Sequence, residues 1–471
     1  MDFSLTDEQR AIQEAARAFA RQEVDPIVDE IDESQRFPRE VMLKAGELGF
    51  LGILFPEEYG GAGLGYVEYV LVVTELSRVD PSVGISVAAH NSLCSNHIYK
   101  YGNDEQRRRW LTPLASGKKI GAWSLTEPGA GSDAAGTRTR AERVEGGWVL
   151  NGAKTFTTHG REGDVCVVFA VTDPKGARHH NISAFVLDRG MAGFRAGKKE
   201  NKLGIRASDT SEVIMEDCFV GEDHLLGDVG EGFIQALEIL DGGRISIAAL
   251  GLGTAKGAFD TARAYAKERQ QFGQPIASFQ AIRFMLAEMA TSIAAAECLT
   301  FAAAEAMDRG RPVSRLSSQA KLFAGESAVF CAERGVQIHG GYGFIKDYRA
   351  EKYFRDSKIC TIGEGTSEIQ RLVIARQLLS RDSRQPREVR RQATTPAPSP
   401  AARREPAERT APLAAAEDGG PEATLEVAED SEAGGPEATL EVAETVQAGQ
   451  AGQAGQAAQP GHPPHPRQSS R

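Results

Sequence analysis

A double change of period limits what this chain can fold into. Up to about residue 120 the apolar residues recur at helical spacing. Thr6-x-x-Gln9 is a capping box, and Ile12, Ala15, Phe19 and Val24 follow it. Pro26, the Pro56–Gly65 stretch and Pro81 cut this region into several helices. From 121 to 231 short β-rich runs take over: Val165–Val171, Ile182–Leu187 and Glu212–Met215 lie between clusters of Gly, Pro and Asp. Trp148-Val149-Leu150, Asn151-Gly152 and Lys154–Thr158 together predict a hairpin with a two-residue turn. From 232 to 382 the helical period returns in Ala/Leu-rich stretches, Ile245–Lys267 and Phe279–Arg309. The expectation is an α+β chain: a helical domain (1–120), an antiparallel β barrel or sandwich (121–231) and a second helical domain (232–382).

Residues 383–471 are different in kind. Pro, Ala, Arg and Gln dominate, and large apolar side chains are too few to offset chain entropy, which predicts a disordered low-complexity tail. Gly419–Glu429 (GGPEATLEVAE) recurs verbatim at Gly434–Glu444, as a short binding motif shown twice or as slippage in a dispensable tail. Through the first 380 positions acidic and basic residues interleave, and no Lys/Arg block suggests nucleic acid, so the net charge of −11 reads as an ordinary surface. The six cysteines (Cys94, Cys166, Cys218, Cys298, Cys331, Cys360) are scattered, without a C-x-x-C pair or His companions at metal spacing. They predict reduced core thiols, no metal and a cytoplasmic setting. The chain reaches a capped helix within a few residues of Met1, so no signal peptide is expected. No apolar run approaches a membrane span, so no membrane is expected.

The chemistry concentrates in Thr361-Ile362-Gly363-Glu364-Gly365-Thr366-Ser367-Glu368-Ile369-Gln370-Arg371. A carboxylate between glycines stands where a helix through Leu372, Ile374 and Leu378 should begin, with Thr366-Ser367 able to cap it. Helix N-termini present free N–H groups, so a base beside them suits proton abstraction α to a carbonyl. Far upstream, Trp123-Ser124-Leu125-Thr126-Glu127-Pro128-Gly129-Ala130-Gly131-Ser132-Asp133 runs from a strand end into a Gly-rich turn. Its bare backbone and hydroxyls suit a flat heterocycle and a phosphate.

With these motifs in this order, residues 1–380 resemble the acyl-CoA dehydrogenases, closest to the short-chain and branched short-chain type through Ala89–Leu93 and Lys202–Arg206. The resemblance implies a helical domain, a β domain and a four-helix bundle that builds a homotetramer. It implies FAD, an acyl-CoA substrate, an electron-transferring flavoprotein as acceptor, and Glu364 as the catalytic base. FAD would be met by Trp123, Leu125, Thr126, Ser132, Phe156, Thr157, Thr158, Arg269, Phe272, Gln280, Gln337, Gly340, Gly341, Thr366 and Glu368. The groups around Arg269 and Gly340-Gly341 would reach the FAD of a neighbouring subunit. Substrate would be met by Ser132, Asp241, Arg244 and Gly365, with Arg244 favouring the ionised form of Glu364.

Two departures stand out. Phe156 replaces a Trp common in relatives, and Gly243 stands where some relatives place the base instead. Leu240–Arg244 is expected to start a helix, and His339 reads as a polar loop residue. Gly84 occupies the position of an Arg that binds the distal carboxylate in glutaryl-CoA enzymes. Rival readings are an acyl-CoA oxidase, a flavin monooxygenase or nitroalkane oxidase, which would lack Glu at 364, and a non-catalytic flavoprotein contacting DNA, which would want a basic C-terminal domain.

Overall fold

The computed structural model describes residues 4–379; the tail expected at 383–471, with its repeat, lies outside them. The Thr6 hydroxyl and Gln9 side chain exchange hydrogen bonds with each other's backbone, forming the expected capping box at the start of α1 (Asp7–Phe19). Two further long helices, α2 (Tyr66–Val79) and α3 (Pro81–Ala89), follow with Pro81 in the first turn of α3. Pro tolerates that place because the N–H it lacks would have no partner there. A π-helical turn (His90–Ser95) carries α3 on into the helix Asn96–Tyr101.

Eight strands form the middle of the chain: β1 (Gly121–Ser124), β2 (Arg140–Val144), β3 (Gly147–Thr158), β4 (Val165–Val171), β5 (Ile182–Asp188), β6 (Phe194–Lys199), β7 (Thr210–Gly221) and β8 (Leu225–Leu226). They belong to one sheet, in the order β6-β7-β3-β2-β4-β5-β8 with β1 beside β4. Most pairs are antiparallel, but β1 and β2 both run parallel to β4, so the sheet is mixed. Strand β4 is buried along its whole length, as a continuous apolar run requires.

The expected hairpin at Asn151-Gly152 is not there. These residues lie inside β3, at a register shift against β7 between Leu150 and Gly152. The Asn151 side chain receives the Asp217 N–H (2.8 Å) and donates to its carboxylate (3.1 Å), so the polar side chain serves a bulge rather than a turn. The turn itself is Glu145-Gly146, which joins Val144 to its partner Gly147.

Five helices complete the body: α4 (Gly232–Glu268), α5 (Gln280–Asp308), α6 (Ser314–His339), α7 (Ala350–Ser357) and α8 (Ser367–Leu379). Leu240–Arg244 lies well inside α4, which begins at Gly232. One apolar cluster runs from Ala16 and Phe19 through Val73 and Leu76 to Leu252, Ala320 and Tyr353, so the first and last helices share a core. Alanines fill much of it, which lets helix axes approach closely. Helix α5 is long and apolar enough by composition to cross a membrane, against the sequence expectation, yet only 22% of its most apolar window is buried in this chain. Between α4 and α5 a small hairpin pairs β9 (Gln270–Gln271) with β10 (Gln274–Pro275). Both of its turn residues, Phe272 and Gly273, have positive φ (52° and 75°), as the favoured two-residue hairpin turn demands.

Candidate active site

Glu364 precedes α8 rather than opening it. Gly363 N–H closes back on the Ile359 carbonyl (2.8 Å), and the chain then turns left-handed at Glu364 (φ 53°) and Gly365 (φ 93°). The Thr366 hydroxyl accepts the Ile369 N–H (3.3 Å), capping the helix as expected. A non-glycine residue at positive φ is strained, and this strain sits at the expected base. Two side chains hold the turn. Gln370 Nε2 donates to the carbonyls of Gly365 (3.0 Å) and Glu364 (3.3 Å), and Lys321 Nζ donates to that of Gly365 (2.6 Å).

The carboxylate of Glu364 points toward α4. Its Oε2 is buried and has no hydrogen-bond partner. It lies so close to Gly243 that a Cβ there would stand 2.0 Å away, and 3.1 Å from Leu93. Gly243 is therefore the space the base occupies. Burial pushes Glu364 up to about 7, opposed first by the positive charge of Lys321 and then by that of Arg244. Arg244, buried and ion-paired to Asp241, does favour the ionised form as expected, but Lys321 does so more strongly. The Asp241 carboxylate is further held by the Ser314 hydroxyl.

The upstream motif forms a second face. Trp123, on β1, donates its indole N–H to His97 Nδ1 (3.0 Å), and His97 Nε2 donates in turn to Gln235 (3.0 Å). Burial lowers His97 to about 4, so its ring is neutral and its tautomer is fixed by these two partners. Thr126 receives the Thr155 N–H on its carbonyl (2.9 Å), which ties the Gly-rich turn to β3. The buried Leu125 carbonyl accepts from Lys154 Nζ (3.1 Å), whose other partner is Glu127 (2.8 Å); Glu127 also accepts the N–H groups of Arg138 and Thr139. Thr157 bonds Ser124 through their hydroxyls (2.6 Å). A bulge between Lys154 and Thr157 leaves Phe156 at positive φ with 65% of its surface exposed, beside the half-buried Thr158.

These features fit a flavin. Backbone at Gly129 and Gly131 faces open space, Phe156 is pushed outward on β3, and the Gly-rich turn is tied to β3 through Thr126 and Thr155. Ser132 is exposed at the end of the turn.

A cavity of about 500 Å³ lies apart from these residues, lined by Tyr265, Arg269, Gln271, His339, Gly340 and Gly341 among others. Arg269 stands over the Tyr342 ring (5.3 Å), and Phe272 at the hairpin tip is 92% exposed. Gln280 and Gln337 are exposed nearby in the chain, at the start of α5 and the end of α6. Thr366 and Glu368 line another groove with Phe330 and Lys358. So one chain brings Glu364, Gly365, Asp241 and Arg244 together, and Trp123, Leu125, Thr126 and Phe156–Thr158 together. It leaves Arg269, Phe272, Gly340 and Gly341 facing outward.

His339 corrects an expectation: it is the buried last residue of α6, stacked on Tyr265 at 4.3 Å with its Nδ1–H on the Gly335 carbonyl. Cys298 is exposed, while the other five cysteines are buried and free. Among the described residues no cluster of three or more His, Cys, Asp or Glu is placed to hold a metal. Sequence reasoning missed Lys321, His97, Lys154 and Gln370. Each looks like an ordinary surface residue in its own segment, and only long-range packing reveals the partner.

Three family models match most of the described body. The N-terminal domain of acyl-CoA dehydrogenases matches residues 6–118, the middle domain 122–218 and the C-terminal domain 230–379. The chain belongs to the acyl-CoA dehydrogenase family. It is similar to the short-chain specific acyl-CoA dehydrogenase of Clostridium acetobutylicum, with 47% identity over 376 residues covering 80% of this chain and 99% of the relative. Among solved structures it resembles butyryl-CoA dehydrogenase from Megasphaera elsdenii (41% identity, TM-score 0.79, 81% of this chain and 100% of the other). It also resembles a chain solved in work on the electron transferring flavoprotein of Acidaminococcus fermentans (48% identity, TM-score 0.80, 80% and 100%). The protein is therefore an oxidoreductase acting on acyl-CoA.

Proposed function

We propose that this enzyme binds FAD and dehydrogenates a short or branched short-chain acyl-CoA to the 2-enoyl-CoA, with electrons passing on to an electron-transferring flavoprotein. The observation that carries the reading is Glu364: a sealed, unpartnered carboxylate oxygen facing a glycine, with two cations near it. Glu364 takes the α-proton on its carboxylate. A thioester α-proton is a weak acid, so the enolate oxygen needs donors as it forms. No backbone carbonyl among the described residues accepts the Glu364 N–H, which is therefore free to serve. FAD, when bound, supplies the acceptor for the β-hydride. Thr126, Phe156 and Thr158 would hold its ring system, while Arg269, Phe272, Gln280, Gln337, Gly340 and Gly341 would reach the FAD of a neighbouring subunit. Arg244 keeps the base ionised, and Asp241 holds Arg244 in place.

Shape supports a monocarboxylic acyl group. At Gly84 a Cβ would stand 2.0 Å from Ser77 Oγ, so no side chain fits there to bind a distal carboxylate. A homotetramer is supported by α5, whose apolar surface, Phe284 included, is largely uncovered within one chain. Purified holoprotein given a panel of acyl-CoAs and an artificial electron acceptor tests the function. Turnover should peak on short-chain monocarboxylic substrates such as butyryl-CoA, the substrate in the name of a similar enzyme. A preference for glutaryl-CoA, or reduction of oxygen faster than of the acceptor, would overturn it.

A further inference from the structure

Lys321 is among the largest fully buried side chains of the protein, and burying an ammonium is costly unless it is well paired. Its hydrogen bond goes to the Gly365 carbonyl (2.6 Å), not to a carboxylate, and that carbonyl already accepts from Gln370. Gln370 reaches this carbonyl from within α8 itself, whereas Lys321 anchors it to α6. What an ammonium adds is a positive charge beside the turn that carries the base, which favours the ionised form of Glu364. Being on α6, Lys321 also ties the left-handed Glu364–Gly365 turn to a different helix from the one that carries Arg244.

We propose that Lys321 is a positioning residue for the base, fixing the Glu364–Gly365 turn through the Gly365 carbonyl and setting a positive charge beside it. This rests on Glu364 being the base. The groups facing Glu364 are Lys321 from α6, Arg244 with its partner Asp241 from α4, and the phenols of Tyr66 and Tyr69 from α2. Burial raises both phenols far above neutrality, and Asp308 lies beside Tyr66. Lys321 itself faces Cys360, Glu364, Glu368 and Arg244; burial lowers it to about 8 and raises the Cys360 thiol to about 12, so at neutral pH the first is a cation and the second is neutral.

The test is the pH profile of kcat/KM in Lys321→Gln and Lys321→Met holoenzymes, with FAD content and Tm measured on each. Removing the cation raises Glu364, so the rising limb should move upward by about one pH unit, a roughly fivefold loss at pH 7 that approaches tenfold below about pH 6 and is regained near pH 9. Met matches the length of the lysine stem and is read in the same way if the Gln variant does not fold. A limb that stays at the wild-type position in a variant retaining FAD would overturn the proposal, since a purely structural residue would change amplitude and not position. Absence of acyl-CoA turnover in the wild type would instead remove the function on which it rests.

Discussion

Replacing Gly243 by Ala should separate the chemistry of this site from its stability. The new methyl would lie 2.0 Å from Glu364 Oε2, whereas unbonded heavy atoms settle at about 3.5 Å. The carboxylate must then retreat by roughly 1.5 Å, because Gly243 is fixed in the middle of α4 and the new methyl would already be tight against Leu93 at 3.1 Å. Misplacing a reacting group by about 1 Å costs on the order of 100-fold in rate. The fold should hardly notice. Ala in a helix interior gains up to about 1 kcal/mol over Gly, and the atom displaced is the end of a flexible side chain, so a clash cost of about 1 kcal/mol roughly cancels it. Anaerobic mixing with the best acyl-CoA, following loss of the oxidised flavin band, gives the rate; thermal unfolding gives the stability. Bleaching within about threefold of wild type would show that the base does not sit against this glycine.

Three other outcomes are expected. The wild-type kcat/KM should rise with pH through about 7, because burial holds Glu364 protonated below that value and a protonated carboxyl accepts nothing; a profile flat from about pH 6 to 8 would contradict it. Arg269→Ala should weaken FAD retention about tenfold or more and loosen the oligomer together, since its cavity faces outward; stoichiometric FAD on a monomeric wild type in size-exclusion chromatography would refute a shared site. Gly363 adjoins the base, so a bulky side chain there should narrow the site: Gly363→Tyr should fold, as a Cβ there makes ordinary 3.6 Å contact with Ile359, and should cut turnover of 2-methylbutyryl-CoA while sparing butyryl-CoA. Equal loss on both substrates would mean that Gly363 does not set the pocket width.

The sequence was most informative where interactions are local. Period separated helices from strands, Thr6 and Gln9 capped α1 as read, and the glycines around Glu364 marked a special backbone. It misled where a local signal served a distant partner. Asn151-Gly152 carries hairpin chemistry, yet Asp217, 66 residues away, draws Asn151 into a bulge. Phe272-Gly273 makes a true two-residue turn between strands too short to show a period. Lys321 and Lys154 look like helix-surface and strand-surface cations, and only tertiary packing turns them inward toward Gly365 and Glu127. The helix start expected at Leu240–Arg244 lies instead inside α4, with Gly242 and Gly243 in its interior. Here they give up side chains to make room for Tyr66 and Glu364.

The most direct measurement on the central claim is a single mixing experiment with Glu364→Gln. The substitution keeps volume and removes the base, so FAD content, Tm and binding of the acyl-CoA should match wild type. On anaerobic mixing the oxidised flavin band of the variant should bleach at least about 10³-fold more slowly than that of wild type. Bleaching at the wild-type rate would contradict the assignment of Glu364 as the base.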